Sequence, residues 1–342
     1  MEICRFSSHF KWPRVPSRLE ARGNCQPYCE WAAKIIMRMM FDLGCSAQVT
    51  VGDPKRARTI AASFDTSPKP FELLSERGFL TITGMIHFLD NASYTFLIAC
   101  RYDCRPISWC PRVRDRHWDG CYGSCGALAD VPVGSLVIPD ACVAITRNWD
   151  FDFGGDSDPE KDKDAYIVSK PVSGDRELHA KLVEVINQAA ASRSEQILVL
   201  GDVVNAAADR YATTKTEDRR QTSFPDHNAS LIERLIDEIP RLTTLEMETF
   251  HLYHLAKSYT KLTKRLQNLS AGSMEVSMLH RGAIRASGVQ MVFASRPTQE
   301  FITPDEVQNL ERWVGQACLE ALTQFEIAEE VRVVCGSLEN FD

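Results

Sequence analysis

Apolar residues recur along this chain at two spacings, and their alternation predicts the elements. Gln48-Val49-Thr50-Val51 reads as a short strand. It runs into Gly52-Asp53-Pro54-Lys55-Arg56-Ala57, where Pro54 suits the first turn of a helix. Phe79 to Phe88 is a second strand region, and Val131 to Thr146 reads as strand–turn–strand. Arg176 to Ala191 carries Leu178, Leu182, Val185 and Ile186 at helical spacing. Gln196 to Val204 and Val289 to Ala294 are apolar runs of the kind that form buried strands. Ile232 to Ile239 is a short helix. Thr303-Pro304-Asp305-Glu306 opens a last helix, which ends near Phe325. Helices alternating with strands predict a three-layer α/β fold, a central sheet flanked by helices. No internal repeat is visible.

Four stretches stand apart. Residues 1–45 form an N-terminal segment in which only Trp31 to Phe41 suggests a helix. Residues 46–337 form the main domain. Within it, residues 90–121 mix Arg, Cys, Trp, Asp and Pro with neither period, so no element is predicted there. That Cys/Trp/Arg-rich composition fits translation of an intron or a displaced reading frame. Residues 150–165 are acidic and Gly-rich, a solvated loop, and 257–282 read as a polar surface insertion.

Composition narrows the function classes. The 342 residues are 44% hydrophobic and 25% charged, as in ordinary soluble proteins. The net charge of −7 argues against a nucleic-acid partner. No apolar run approaches the roughly 20 residues that span a bilayer, so no membrane association is expected. The basic N-terminal residues lack an apolar signal core, which points to the cytoplasm. Of 12 cysteines, five fall at irregular gaps: Cys100, Cys104, Cys110, Cys121 and Cys125. They form no Cys-x-x-Cys pair, so neither a metal nor disulfides are expected.

Several strings suggest chemistry. In Leu245-Glu246-Met247-Glu248-Thr249-Phe250, two carboxylates flank a methionine ahead of an apolar run. Burying such groups is costly unless they are paired, and a pair of ribose hydroxyls is a natural partner for an acceptor-only carboxylate. The same string also fits the acidic first turn of an amphipathic helix. Gly52 through Arg56 combines a glycine after a strand, a helix N-terminus and a planar guanidinium, a combination suited to phosphate. An ordinary βα turn has the same pattern. Gly123-Ser124-Cys125-Gly126 suits a second phosphate cradle with Ser124 donating, or a plain tight turn. No base is tied to Cys125 by sequence, which weakens it as a nucleophile. Ser295-Arg296 ends a buried strand, where α/β proteins gather ligands, although a surface arginine also fits.

Taken together, these strings resemble the nucleoside phosphorylase family, and its uridine phosphorylase branch most. The order is Gly-Asp-Pro-Lys-Arg-Ala (52–57), Gly-Ser-Cys-Gly-Ala-Leu (123–128) and Glu-Met-Glu-Thr (246–249). Ser75-Glu76-Arg77-Gly78-Phe79, Arg220 to Asn228 and Phe293-Ala294-Ser295-Arg296 add to it. The resemblance covers 46–89 and 122–327. It implies a phosphorylase-like fold around a central mixed sheet, and phosphorolysis of a nucleoside to free base and ribose 1-phosphate. Gly52, Arg56 and Ser124 would bind phosphate, with Arg77 reaching in from a neighbouring subunit, so the active unit would be a homodimer or larger. Glu246, Met247 and Glu248 would hold the ribose. Arg220 and Arg296 would read a pyrimidine. Arg56, Glu248 and Arg296 would carry catalysis, with no cofactor beyond inorganic phosphate as co-substrate.

The chain also departs from that family. Cys121 stands where the family places a phosphate-binding arginine. Asp209-Arg210-Tyr211 replaces an aromatic-rich string, and Asp218 occupies the place of a uracil-reading glutamine. A carboxylate lacks the glutamine's donor. Three readings follow: a pyrimidine nucleoside phosphorylase, a non-catalytic nucleoside-binding or structural relative, and a nucleoside hydrolase. Retention of Arg56 and Arg77 argues against the hydrolase.

Overall fold

A computed structural model describes residues 47–74, 79–87, 93–101, 122–156, 158, 160–194, 196–208, 226–269 and 284–325. Two sheets organise them. The smaller is built from β1 (Ala47–Thr50), β2 (Phe71–Leu74), β3 (Phe79–His87) and β4 (Ser93–Arg101). Its order is β1-β4-β3-β2, with β4 parallel to β1 and antiparallel to β3.

The larger sheet comprises β5 (Tyr122–Ala127), β6 (Leu136–Val137), β7 (Ala141–Arg147), β8 (Tyr166–Val168) and β9 (Val172–Ser173). It is completed by β10 (Val199–Leu200), β11 (Val204–Ala208), β12 (Leu242–Glu246) and β13 (Val289–Ser295). The order is β10-β6-β13-β5-β12-β11-β7-β8, with β9 also on β7. Parallel and antiparallel pairs mix in it.

Among the described residues, five α-helices accompany the sheets: α1 (Pro54–Ala61), α2 (Arg176–Ala191), α3 (Leu231–Glu238), α4 (Thr249–Leu269) and α5 (Pro304–Gln324). The largest apolar cluster joins both sheets to α1, α2 and α5 through residues such as Ile60, Leu136, Ile186, Met291 and Val314. The α5–α1 contact is close because Gly315 has no Cβ. One added there would lie 2.4 Å from Ile60 Cγ1. The expected mixed α/β sheet with flanking helices is the observed architecture.

Five expectations are corrected. Residues 93–101, predicted to be without an element, form β4. Phe96, Leu97, Ile98 and Ala99 make an unbroken apolar run behind Tyr94-Thr95, and an interior strand of a sheet need not alternate. β4 pairs in register with β3 from Ser93 to Arg101, and residues 102–121 lie outside the described residues. The strand–turn–strand read from Val131 to Thr146 is present as β6 and β7, which lie apart in the sheet order. Gln196 to Val204 splits at Gly201-Asp202-Val203 into β10 and the start of β11. Gly123 to Gly126 is interior strand rather than turn. Leu245-Glu246 ends a strand, and the helix begins only at Thr249. That helix continues to Leu269, so the polar residues after 257 begin as its solvent face rather than as an insertion. Trp31 to Phe41 lies outside the described residues.

Candidate active site

The centre of the larger sheet gathers most of the predicted residues that the structure describes. Strand β5 carries Ser124 and Cys125 and lies between β12 and β13. Leu245 pairs with Gly126 across β12–β5, so Glu246 comes level with Cys125. On the other flank, Ser295 pairs with Ala127, and Arg296 N donates to Ala127 O at 3.0 Å. Neighbouring strands lie about 4.8 Å apart, so the ends of β12 and β13 stand about 10 Å apart across β5.

Glu246 is buried and its carboxylate is well supplied with donors. Oε1 accepts from Asn205 Nδ2 at 2.6 Å. Oε2 accepts from Glu248 N at 2.6 Å and Thr249 N at 3.0 Å. These two amides open α4, where a helix leaves donors unsatisfied and its dipole favours an anion. Asn205 stands on β11, and its carbonyl accepts from Thr244 Oγ1 at 3.1 Å. Its amide therefore uses a donor on one neighbour and its acceptor on another, as its chemistry allows. Behind this group, Gln290 Nε2 donates to Thr249 Oγ1 at 2.8 Å.

Met247 and Glu248 follow and are only half-buried. Glu248 O accepts from His251 N and Leu252 N, so Glu248 sits at the mouth of α4, where its negative charge is favoured. The sequence grouped Glu246 with these two residues as one ribose clamp. In the structure, Glu246 faces protein donors and Glu248 stands at the rim.

Cys125 is excluded as a nucleophile. Burial drives its thiol pKa far up, and the nearby Glu246 charge adds to that. The thiol stays protonated at neutral pH, and the thiolate is the nucleophilic form. Its Sγ points to Met291 O at 3.6 Å. Cys142 and Cys318 are likewise buried free thiols.

The β1–α1 turn is built differently. Pro54 takes the first turn of α1, and Asp53 caps it, accepting from Lys55 N at 2.6 Å and Arg56 N at 3.1 Å. The amides expected to face an anion therefore already hold Asp53's carboxylate. Arg56 is 2% exposed, and its Nε donates to Glu311 Oε1 at 2.9 Å, from α5. Gly52 is half-buried beside this turn. Arg296 is half-buried too. Burial lowers its pKa, and the charge of Glu233 on α3 opposes that shift. Arg77, Arg220, Cys121, Asp218 and Asp209-Arg210-Tyr211 lie outside the described residues.

Sequence reasoning missed Asn205, Gln290 and Glu311. A signal existed for the first two. Each is a lone amide inside an apolar strand run, Val203-Val204-Asn205-Ala206 and Val289-Gln290-Met291-Val292. A buried amide requires partners, so each implied a polar neighbour. Glu311 stands among Leu310, Trp313 and Val314 on α5, and nothing local announces its partner 255 residues away.

No group of three His, Cys, Asp or Glu among the described residues is placed to hold a metal ion. Nor is any described helix long and apolar enough to cross a membrane.

Comparison with known proteins agrees with this fold. Residues 121–262 match the family model of the phosphorylase superfamily. That span contains β5, β11, β12 and the start of α4, the elements around Glu246. The fold is shared with a uridine phosphorylase of the oomycete Phytophthora capsici, at 23% identity and a TM-score of 0.61, over 83% of this chain and 91% of that one. It is shared also with a nucleoside phosphorylase of Trypanosoma brucei that shows uridine phosphorylase activity. That match has 14% identity and a TM-score of 0.51, over 82% of this chain and 94% of the other. A search of the curated proteins finds no match. The resemblance carried by the motifs is thus matched by the superfamily model, and the chain has a nucleoside-phosphorylase-type fold.

Proposed function

We propose that this protein is a pentosyltransferase that cleaves a uridine-like pyrimidine nucleoside with inorganic phosphate, releasing free base and ribose 1-phosphate. The observation that carries the reading is the placement of Glu248. It stands half-buried at the mouth of α4, one strand away from Ser124, inside the span that matches the superfamily. There a carboxylate can accept from sugar hydroxyls while Met247 packs beside the sugar. Ser124 and Arg56, with Gly52 and a partner copy's arginine at position 77, supply the phosphate end. Arg296 and Arg220 face the base, so that Arg296 offsets charge as the base leaves. Phosphate attacks the anomeric carbon, the bond to the base breaks, and the enzyme's part is alignment and charge stabilisation. The setting is cytoplasmic nucleoside catabolism by a homodimer or larger assembly, without a cofactor or metal.

A second reading has specific support. Cys121 replaces the family's arginine, and Asp53 occupies the α1 amides, so a nucleoside-binding relative with impaired phosphate chemistry also fits. Purified protein is incubated with uridine, thymidine or inosine, with and without phosphate, and products are separated. Uracil and ribose 1-phosphate that form only with phosphate support the enzyme. Nucleoside binding without turnover establishes the second reading. Free ribose formed without phosphate makes the protein a hydrolase.

A further inference from the structure

Glu246 is a carboxylate with three protein donors, and none of them is on a substrate. The chain of bonds that reaches it is continuous. Thr244 Oγ1 donates to Asn205 Oδ1, Asn205 Nδ2 to Glu246 Oε1, and the amides of Glu248 and Thr249 to Glu246 Oε2. All four residues that supply side chains or cap the helix, Thr244, Asn205, Glu246 and Thr249, are buried. Thr244 and Glu246 are two apart on β12 and so share one face of the strand. Asn205 on β11 pairs with Thr244 in register, which lets one amide reach both side chains. The far end of the chain is the peptide between Met247 and Glu248. Its N–H direction sets where both side chains emerge.

We infer that Asn205 and Glu246 are positioning residues. They fix the Met247–Glu248 peptide at the mouth of α4 so that Glu248, and not Glu246, meets the sugar. The inference rests on the phosphorylase reading above and divides the Glu-Met-Glu string into an anchor and a contact. Hydrogen bonds to a buried charge in a connected network are strong enough for loss of one to be felt at the rim.

The test uses Asn205→Ala, Glu246→Gln and the milder Thr244→Val in the full chain, with Thr244→Ser as the conservative rescue. Values of kcat/KM are measured for uridine and 2′-deoxyuridine, together with KM for phosphate. Asn205→Ala and Glu246→Gln are expected to lower kcat/KM about 10-fold or more, by equal factors for the two nucleosides. KM for phosphate stays at the wild-type value, and Thr244→Ser retains the activity that Thr244→Val loses. Amide hydrogen exchange at Glu248 and Thr249 is expected to speed up in Asn205→Ala and Thr244→Val. A Glu246→Gln penalty that shrinks on 2′-deoxyuridine would place Glu246 on the sugar and overturn the inference. Unchanged exchange at Glu248 and Thr249 overturns it as well, whatever the activity. Wild-type protein that turns over no nucleoside is a different result: it defeats the phosphorylase reading, and the positioning role with it.

Discussion

The two ends of the candidate site hold their charges in opposite ways. At the proposed sugar end, in the larger sheet, buried Glu246 is an anion held by neutral donors: one amide side chain and two helix-opening N–H groups. At the proposed phosphate end, beside the smaller sheet, buried Arg56 is a cation paired with the carboxylate of Glu311. The helix N-terminus there is satisfied by its own Asp53. An anion on backbone donors needs no counter-ion nearby, because the helix end supplies the partial positive charge. A buried cation is instead held where a carboxylate from another helix meets it. The proposed sugar end therefore draws on neutral and backbone donors, and the proposed phosphate end on an ion pair.

The sharpest way to break this contrast is to remove Glu311. Glu311→Ala removes the ion-pair partner of the buried Arg56 guanidinium and is expected to cost about 3–5 kcal/mol in urea denaturation. A loss within surface-pair range, under about 1 kcal/mol, would show that Arg56 finds other support. Next in size is the departure at position 121. Cys121→Arg restores a charge-assisted phosphate contact and is expected to raise kcat/KM for phosphate on the order of 10²-fold. No gain would mean that the arginine's place in the family is filled by another group here.

Smaller effects test the packing that carries Arg56 and Glu311. Gly315 and Glu311 are one turn apart on α5, as Ile60 and Arg56 are on α1. Gly315→Ala drives a methyl into Ile60 and is expected to destabilise by about 1–3 kcal/mol, read in the same denaturation assay. At the start of α5, Thr303 and Glu306 form a capping box. Thr303→Ala is expected to cost about 1 kcal/mol. Hydrogen bonds from the Thr303 hydroxyl and backbone hold the Glu306 carboxyl below its ordinary value. A depressed folded-state value gives stability that is present above the unfolded value and lost as pH falls through the folded one. Thr303→Ala should therefore flatten this acid-side loss. The effect is small because Glu306 is largely exposed, and a stability–pH curve with the wild-type slope would refute it.

How much was legible in sequence differs between the same two ends. Helices announced themselves through caps and period, as at Thr303-Pro304 and at Leu178, Leu182, Val185 and Ile186. Strands were harder wherever they are interior. β4 lacks alternation, and β5 contains two glycines that read as a turn until β12 and β13 are seen on either side. The string Glu246-Met247-Glu248 was singled out in the sequence, but the partners that hold Glu246 were not. Those partners are Asn205, 41 residues away, and the amides of a helix that begins only at Thr249. Arg56 was singled out from its local string. Its partner was invisible, because Glu311 is brought to it only by the packing of α5 on α1. Sequence strings pointed to Glu246 and Arg56 better than to the distant groups that hold them.

The central claim is that phosphate, rather than water, takes the sugar. It is tested most directly by following uridine and inorganic phosphate with the wild-type protein by phosphorus NMR. A ribose 1-phosphate signal that grows in step with released uracil is the predicted result. An unchanged phosphate signal, whether uracil appears or not, would contradict it.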